Sequence, residues 1–208
     1  MIASLAEMSA YLAQMQAQRG EYVRCDLSPA LSARMSDTAL TEALLLGLPM
    51  AQGVQQRIVR SRGRGAFLTA KIRYRQGVRM LAGENLTQEE SAALEMARSI
   101  AADFLPLDEA ERFNAVYNWV CHNVCYVHTA PGQKGYERLV CASGALLDGQ
   151  ANCQGFADVL YLLCGLCGIE AEYRIGRGEK RLHVWNAVRI NGEWRETDVS
   201  KGARSTSD

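Results

Sequence analysis

Three side chains in the C-terminal part of this sequence have the types and spacing of a thiol-based catalytic site: Cys153, His183 and Asp198. Cys153 lies in "GQANCQGFADVLYLLCGLCG", where a polar loop turns into a long apolar stripe. Asn152 is a good N-cap, so Cys153 falls in the first turn of a predicted helix. Unpaired backbone N–H groups and the positive end of the helix dipole meet there. Both stabilise a thiolate and lower a cysteine pKa. A cysteine is more often a small buried hydrophobe, and position alone leaves that reading ahead.

The hairpin downstream changes the balance. In "LHVWNAVRINGEWRETDV", Asn191-Gly192 is the pair that a two-residue type I′ turn prefers. With that turn, Ile190 faces Glu193 and Trp185 lies opposite Asp198. His183 is two residues from Trp185 and shares its face. His183 and Asp198 are then diagonal same-face neighbours, with Cβ atoms within about 7–8 Å. The carboxylate can fix the imidazole tautomer and stabilise the imidazolium, leaving the other ring nitrogen for a thiol. Trp185 would shield the pair from water.

These residues need a helix and a sheet to hold them. Phe156, Leu160, Leu163, Cys164 and Cys167 recur at helical spacing, and Gly168 is placed to stop the helix. "EAEYRIG" alternates as a strand, "RGEKR" is a polar loop, and the Asn-Gly hairpin follows. Upstream, Thr87 with Glu90 and Asp108 with Glu111 fit capping boxes that open two helices. Residues 130–150 read as a glycine-rich loop. The N-terminal part reads as a helix over 3–18, a strand in "EYVRCDL", a helix capped by Ser36 or Asp37 and ended by Pro49, and strands in "VQQRIVR" and "AFLTAKIRYR". The expected fold class is α+β. A small α+β section over 1–84 precedes a catalytic domain over 85–208.

The 208 residues carry 23 Lys plus Arg and 23 Asp plus Glu, so no net field draws the chain to nucleic acid or membrane. No apolar run approaches the roughly 20 residues that span a bilayer. The N-terminus lacks the basic and apolar regions of a signal peptide. The sequence as written reads as cytoplasmic; secretion or a cell-envelope location would require that a leader had been removed. Seven cysteines is an odd number, so at least one thiol is unpaired within the chain. "LCGLC" lies on the apolar helical stripe and reads as core. "CHNVC" at 121–125, with His128 and Cys141, is a weak zinc alternative without regular ligand spacing. Eight basic residues and no acidic one between Gly53 and Gly83 read as a solvated strand face without an aromatic platform. The expected partner is a protein or peptide substrate, with no nucleic acid or membrane and the oligomeric state left open.

The residues from about 108 to 200 resemble the transglutaminase-like superfamily of papain-like thiol enzymes, in particular bacterial transglutaminase-like domain proteins. The likeness rests on "GALLDGQANCQGFADVLYLLCGLCGIEAEYRIG" and "HVWNAVRINGEWRETDVS". On that resemblance Cys153 matches the nucleophile, His183 the base and Asp198 the third member of a triad. Ser143 stands where bacterial members often carry tyrosine. The resemblance implies a papain-like core, a nucleophile helix packed on an antiparallel sheet. The expected activity is hydrolysis of protein or peptide amides through a thioester. Alternatives are transamidation of protein glutamine, or a non-catalytic protein-binding scaffold. No metal or organic cofactor is called for. Only Trp185, with Trp194 or Tyr136, offers apolar walls around the motif, so water rather than a lysine amine is the expected second nucleophile.

Overall fold

The structure, a computed structural model, describes residues 1–61, 64–178 and 182–204. These form two compact units, Met1–Tyr74 and Arg75–Asp208. The division falls after Tyr74 and not after residue 84, because the segment that follows Tyr74 is built into the second unit, as described below.

In the first unit α1 (Leu5–Ala17), β1 (Tyr22–Leu27), α2 (Pro29–Arg34), α3 (Asp37–Gly47), β2 (Ala51–Ser61) and β3 (Gly65–Tyr74) follow in order. The strands make an antiparallel sheet in the order β1-β3-β2. Along β3 the expected alternation holds. Ala66, Leu68, Ala70, Ile72 and Tyr74 are buried, while Phe67, Lys71 and Arg73 are exposed. Ser36 caps α3 through the Ala39 N–H. The basic stretch does not make one face: Arg60 bonds Asp37 and the Ser32 carbonyl, Arg75 is buried and Arg79 pairs with Glu90. Arg62 lies outside the described residues.

The second unit runs α4 (Gln76–Ala82), α5 (Gln88–Phe104), α6 (Glu109–Asn123), β4 (Cys125–Tyr126), α7 (Tyr136–Leu139), α8 (Ala142–Asp148), β5 (Gln150–Ala151), α9 (Cys153–Leu166), β6 (Ala171–Arg177), β7 (Leu182–Ile190) and β8 (Glu193–Thr197), closed by a 3-10 turn, Val199–Lys201. Both expected capping boxes form, Thr87 with Glu90 on α5 and Asp108 with Glu111 on α6. α9 is the centre of this unit. It packs against α4, α5, α6 and α8, and against β6 and β7. Gly155 to Leu160 and Leu162 to Cys164 are all buried, so the helix is covered nearly all round and not along one stripe. Cys164 and Cys167 belong to this core, as expected for "LCGLC". β6, β7 and β8 form an antiparallel sheet in that order. Asn191 and Gly192 have φ of 51° and 82°, the two positive values a type I′ turn needs. The register pairs Ile190 with Glu193 and Asn186 with Thr197, as the turn requires. Of the loop expected at 177–181, residues 179–181 lie outside the described residues.

The segment expected as a loop over 130–150 instead holds α7 and α8. Neither α4 nor α8 has a side-chain cap from its own N-cap residue. Asp158, on α9, caps both. Its Oδ1 accepts the Gly77 N–H at 3.0 Å and its Oδ2 the Ala142 N–H at 2.9 Å. Gln76 Oε1 takes the next amide of α8, from Ser143, at 2.9 Å. Orphan N–H groups at a helix start need acceptors. Here tertiary partners supply them, and local sequence does not show it. Gly77 has to be glycine, since a Cβ would lie 2.9 Å from the Asp158 carbonyl oxygen.

Candidate active site

Cys153 is the first residue of α9, as the cap predicts. The Asn152 side chain accepts the Gln154 N–H at 2.9 Å. The Asn152 N–H donates to the Leu139 carbonyl at 2.8 Å, which ties the cap to α7. The same close approach explains the glycine two residues after the cysteine. A Cβ on Gly155 would come within 2.5 Å of the Leu139 oxygen and 2.9 Å of the Ala151 Cβ. The loop before α9 therefore presses on its first turn and fixes where the thiol stands.

His183 and Asp198 come together across the hairpin. His183 Nε2 and Asp198 Oδ2 are 2.7 Å apart. An ionised carboxylate only accepts, so the proton sits on Nε2. Nδ1 is then the nitrogen left for the Cys153 thiol, with which the imidazole shares a hydrogen bond. All three residues singled out in the sequence thus meet in one place. Trp185 stacks on the His183 ring, with centroids 5.7 Å apart and planes 18° from parallel. Its indole N–H donates to Glu196. Gly176 pairs with His183 across β6 and β7. A Cβ there would come 2.9 Å from Trp185 Cη2, so the indole lies where only glycine leaves room. One strand position further along, the Asn186 side chain donates to the Ala157 carbonyl at 3.2 Å and pins β7 to α9.

The other Asp198 oxygen is also held. Ser200, in the 3-10 turn, donates to Oδ1 at 2.6 Å. The Lys201 ammonium stands 3.6 Å from Oδ2. Burial alone would raise the Asp198 carboxyl. The bonds from His183 and Ser200 outweigh it and hold the group below its ordinary value. The bond to Asp198, and then that to Cys153, raise His183 from 6.5 to about 9 against the opposing effect of burial. The imidazolium is therefore the resting form at neutral pH.

The remaining thiols differ. All seven cysteines are thiols rather than disulfides. Burial raises Cys25 to about 11, and raises Cys121, Cys141, Cys164 and Cys167. The Cys121 Sγ lies 3.8 Å from the Val199 carbonyl, and Cys141 bonds carbonyls of α7, so two members of the weak zinc alternative are engaged in packing contacts. Among the described residues no group of three His, Cys, Asp or Glu is placed to hold a metal, and no helix is long and apolar enough to cross a membrane.

Of the residues expected as apolar walls, Trp185 is at the site. Trp194 is not. It pairs with Arg189, well along β7 from His183, and lines a separate cavity of about 320 Å³ with Leu81, Tyr161 and Ile169. Tyr136 reaches the first turn of α9, where its hydroxyl accepts from Gln154 Nε2 at 3.0 Å. Sequence reasoning passed over Ser200, Gly176, Gln154, Arg75 and Asp158. An aspartate within the apolar run of α9 was the signal for Asp158, since such a residue is seldom buried without partners. Ser143 is fully buried, with Oγ bonded to Glu89 at 3.0 Å.

Residues 95–199, half of the chain, match the family model described as the transglutaminase-like superfamily. The chain belongs to that superfamily, and the matched segment contains Cys153, His183 and Asp198. Human kyphoscoliosis peptidase is 28% identical over 108 residues, covering 46% of this chain and 16% of that protein. The mouse protein is 27% identical over the same spans. Among solved structures, a proposed cysteine protease from Cytophaga hutchinsonii has a TM-score of 0.43 at 16% identity, over 72% of this chain and 63% of that one. A structure described as a TGase gives 0.45 at 12% identity, over 87% and 51%. The family assignment rests on the matched segment and not on these overlays. This chain spans only a small part of the curated relatives' length.

Proposed function

We propose that this protein is a thiol hydrolase of protein or peptide amides, with Cys153 as nucleophile, His183 as acid and base, and Asp198 as the group that orients and charges the imidazole. The observation that carries this reading is His183 bonded at once to Asp198, at 2.7 Å, and to a cysteine on a helix N-terminus. The sulfur attacks the carbonyl carbon, and the C=O electron pair moves onto oxygen. The Cys153 N–H, at the start of α9, is a natural donor to that oxyanion. The tetrahedral intermediate collapses to a thioester as the C–N bond breaks, and His183 passes its Nδ1 proton to the departing amine. Neutral His183 then takes a proton from water as water attacks the thioester. The sulfur leaves as thiolate, the acid is released and the imidazolium returns.

Water is favoured over an amine because the His183 side chain is 31% exposed. Solvent can reach the thioester from the imidazole side. Transamidation needs water held out while a lysine enters. The test offers casein with excess labelled cadaverine and measures released ammonia beside incorporated label. Hydrolysis predicts ammonia or new peptide termini well above label. Label that matches the ammonia released, with no new peptide termini, at modest amine concentration would replace the hydrolase by a transglutaminase.

A further inference from the structure

A run of hydrogen bonds leads from a buried cation to a phenol on the doorstep of Cys153. Arg75 is 1% exposed, with its guanidinium 5.1 Å over the Tyr173 ring. The Tyr173 hydroxyl donates to Asp158 at 2.7 Å, so the platform under Arg75 is itself anchored. Arg75 Nη1 donates to Gln154 Oε1 at 3.3 Å, and Gln154 Nε2 donates to the Tyr136 hydroxyl at 3.0 Å.

The direction of this run is forced. A guanidinium has donors and no acceptor, so the amide must turn its oxygen to Arg75. The amide nitrogen then faces Tyr136, and it too can only donate. The Tyr136 oxygen therefore accepts, and its own proton points away from Gln154. The Gln154 side-chain amide is held at both ends, by Arg75 and by Tyr136, and its backbone N–H by the Asn152 cap. Gln154 directly follows Cys153 on the first turn of α9. The Tyr136 hydroxyl therefore stands against the first turn of α9, bonded to the residue next to Cys153.

We propose that Tyr136 is an oxyanion donor of the thiol reaction, its proton aimed by the Arg75–Gln154 run. This rests on the reading of Cys153 as nucleophile. As the sulfur bonds to the carbonyl carbon, the π pair moves to oxygen, and the Tyr136 O–H and Cys153 N–H share the charge. When the C=O bond reforms and the leaving group departs, the phenol keeps its proton. Tyr136 lowers the barrier without changing the proton count. Gln154 and Arg75 are positioning residues that act through it.

Two reagents separate this from the parent reading. Iodoacetamide alkylates a thiolate without forming an oxyanion, while p-nitrophenyl acetate acetylates it through one. Both reactions at Cys153 are followed by peptide mass, the second also by its nitrophenolate burst. Tyr136→Phe should leave alkylation within about twofold and slow acetylation about 100-fold, the cost of one lost oxyanion donor. Gln154→Glu keeps the bond to Arg75 but presents only acceptors, so the phenol's proton turns to the carboxylate. The ratio of acetylation to alkylation should fall at least about tenfold although the phenol remains. A merely structural tyrosine would not give that second result. Ratios within about threefold of wild type in both variants would remove Tyr136 from the oxyanion site and leave Cys153 as nucleophile. If wild-type Cys153 takes up neither reagent faster than Cys125, both the nucleophile and its donor are overturned.

Discussion

In the proposed reaction His183 moves the protons, because its two ring nitrogens have different partners. Its pKa is raised to about 9, first by Asp198 and then by Cys153. A raised histidine stabilises the folded state fully below its unfolded value of about 6.5 and loses that contribution as pH climbs through about 9. Asp198 has the opposite sign. Its carboxyl is depressed, so its contribution is present above the ordinary carboxylate value and is lost as pH falls through the folded one. Asp198→Asn removes the larger cause of the His183 shift. In proton NMR, where only three histidines need assignment, the His183 midpoint should drop from about 9 towards 6.5. Amide turnover should fall by about four orders of magnitude, the scale seen when a triad carboxylate is neutralised. An unmoved midpoint would mean that Asp198 does not set the imidazole's charge. The pairing of these two residues was legible in the sequence, because a two-residue turn fixes every cross-strand partner by arithmetic. Ser200 was less visible. Its bond depends on a 3-10 turn after β8 that no strand pattern announces.

Between the residue and the whole unit stand elements whose glycines mark close approaches. Gly176 lets the Trp185 indole cross β6 and lie on His183. Gly176→Ala should push the indole off the imidazole, cutting turnover about tenfold while the thermal midpoint moves by only a few degrees, because a clash with the outer edge of one half-buried ring is a small strain. Fluorescence of Trp185 should shift to the red as it gains water. Wild-type turnover in that variant would show the stack to be incidental. α9, the hairpin and both capping boxes were legible because each is specified locally, by a cap, a turn pair or a periodic stripe. α4, α7 and α8 were not. Asp158 and Gln76 supply the missing helix caps across the fold, so the sequence near residues 76 and 142 carries no start signal. The helical stripe of α9 also understated its burial, since Asp158 and Gly155 are polar or small yet face packed neighbours.

At the scale of the whole molecule, the second unit begins with Arg75 and α4, not with the capping box at Thr87. Without α4, Asp158 loses the Gly77 N–H and keeps the Ala142 N–H and the Tyr173 hydroxyl; a buried group that loses a partner costs about 1–3 kcal/mol, and α9 loses the helix packed on it. A fragment starting at Arg75 should therefore fold cooperatively and keep a reactive Cys153, while one starting at Glu84 should lose its sharp melting transition. Equal melting of the two would show that α4 is dispensable. The central claim sets Cys153 apart from six other thiols, five of which burial holds in the protonated form. The direct measurement is limiting iodoacetamide on the folded 208-residue protein at neutral pH, read by peptide mass. Cys153 should be labelled first and Cys125 well behind it, and His183→Ala should slow the labelling of Cys153 without altering the far-ultraviolet circular dichroism. Labelling of Cys125 or any buried thiol ahead of Cys153, or a Cys153 rate indifferent to His183, would contradict the account.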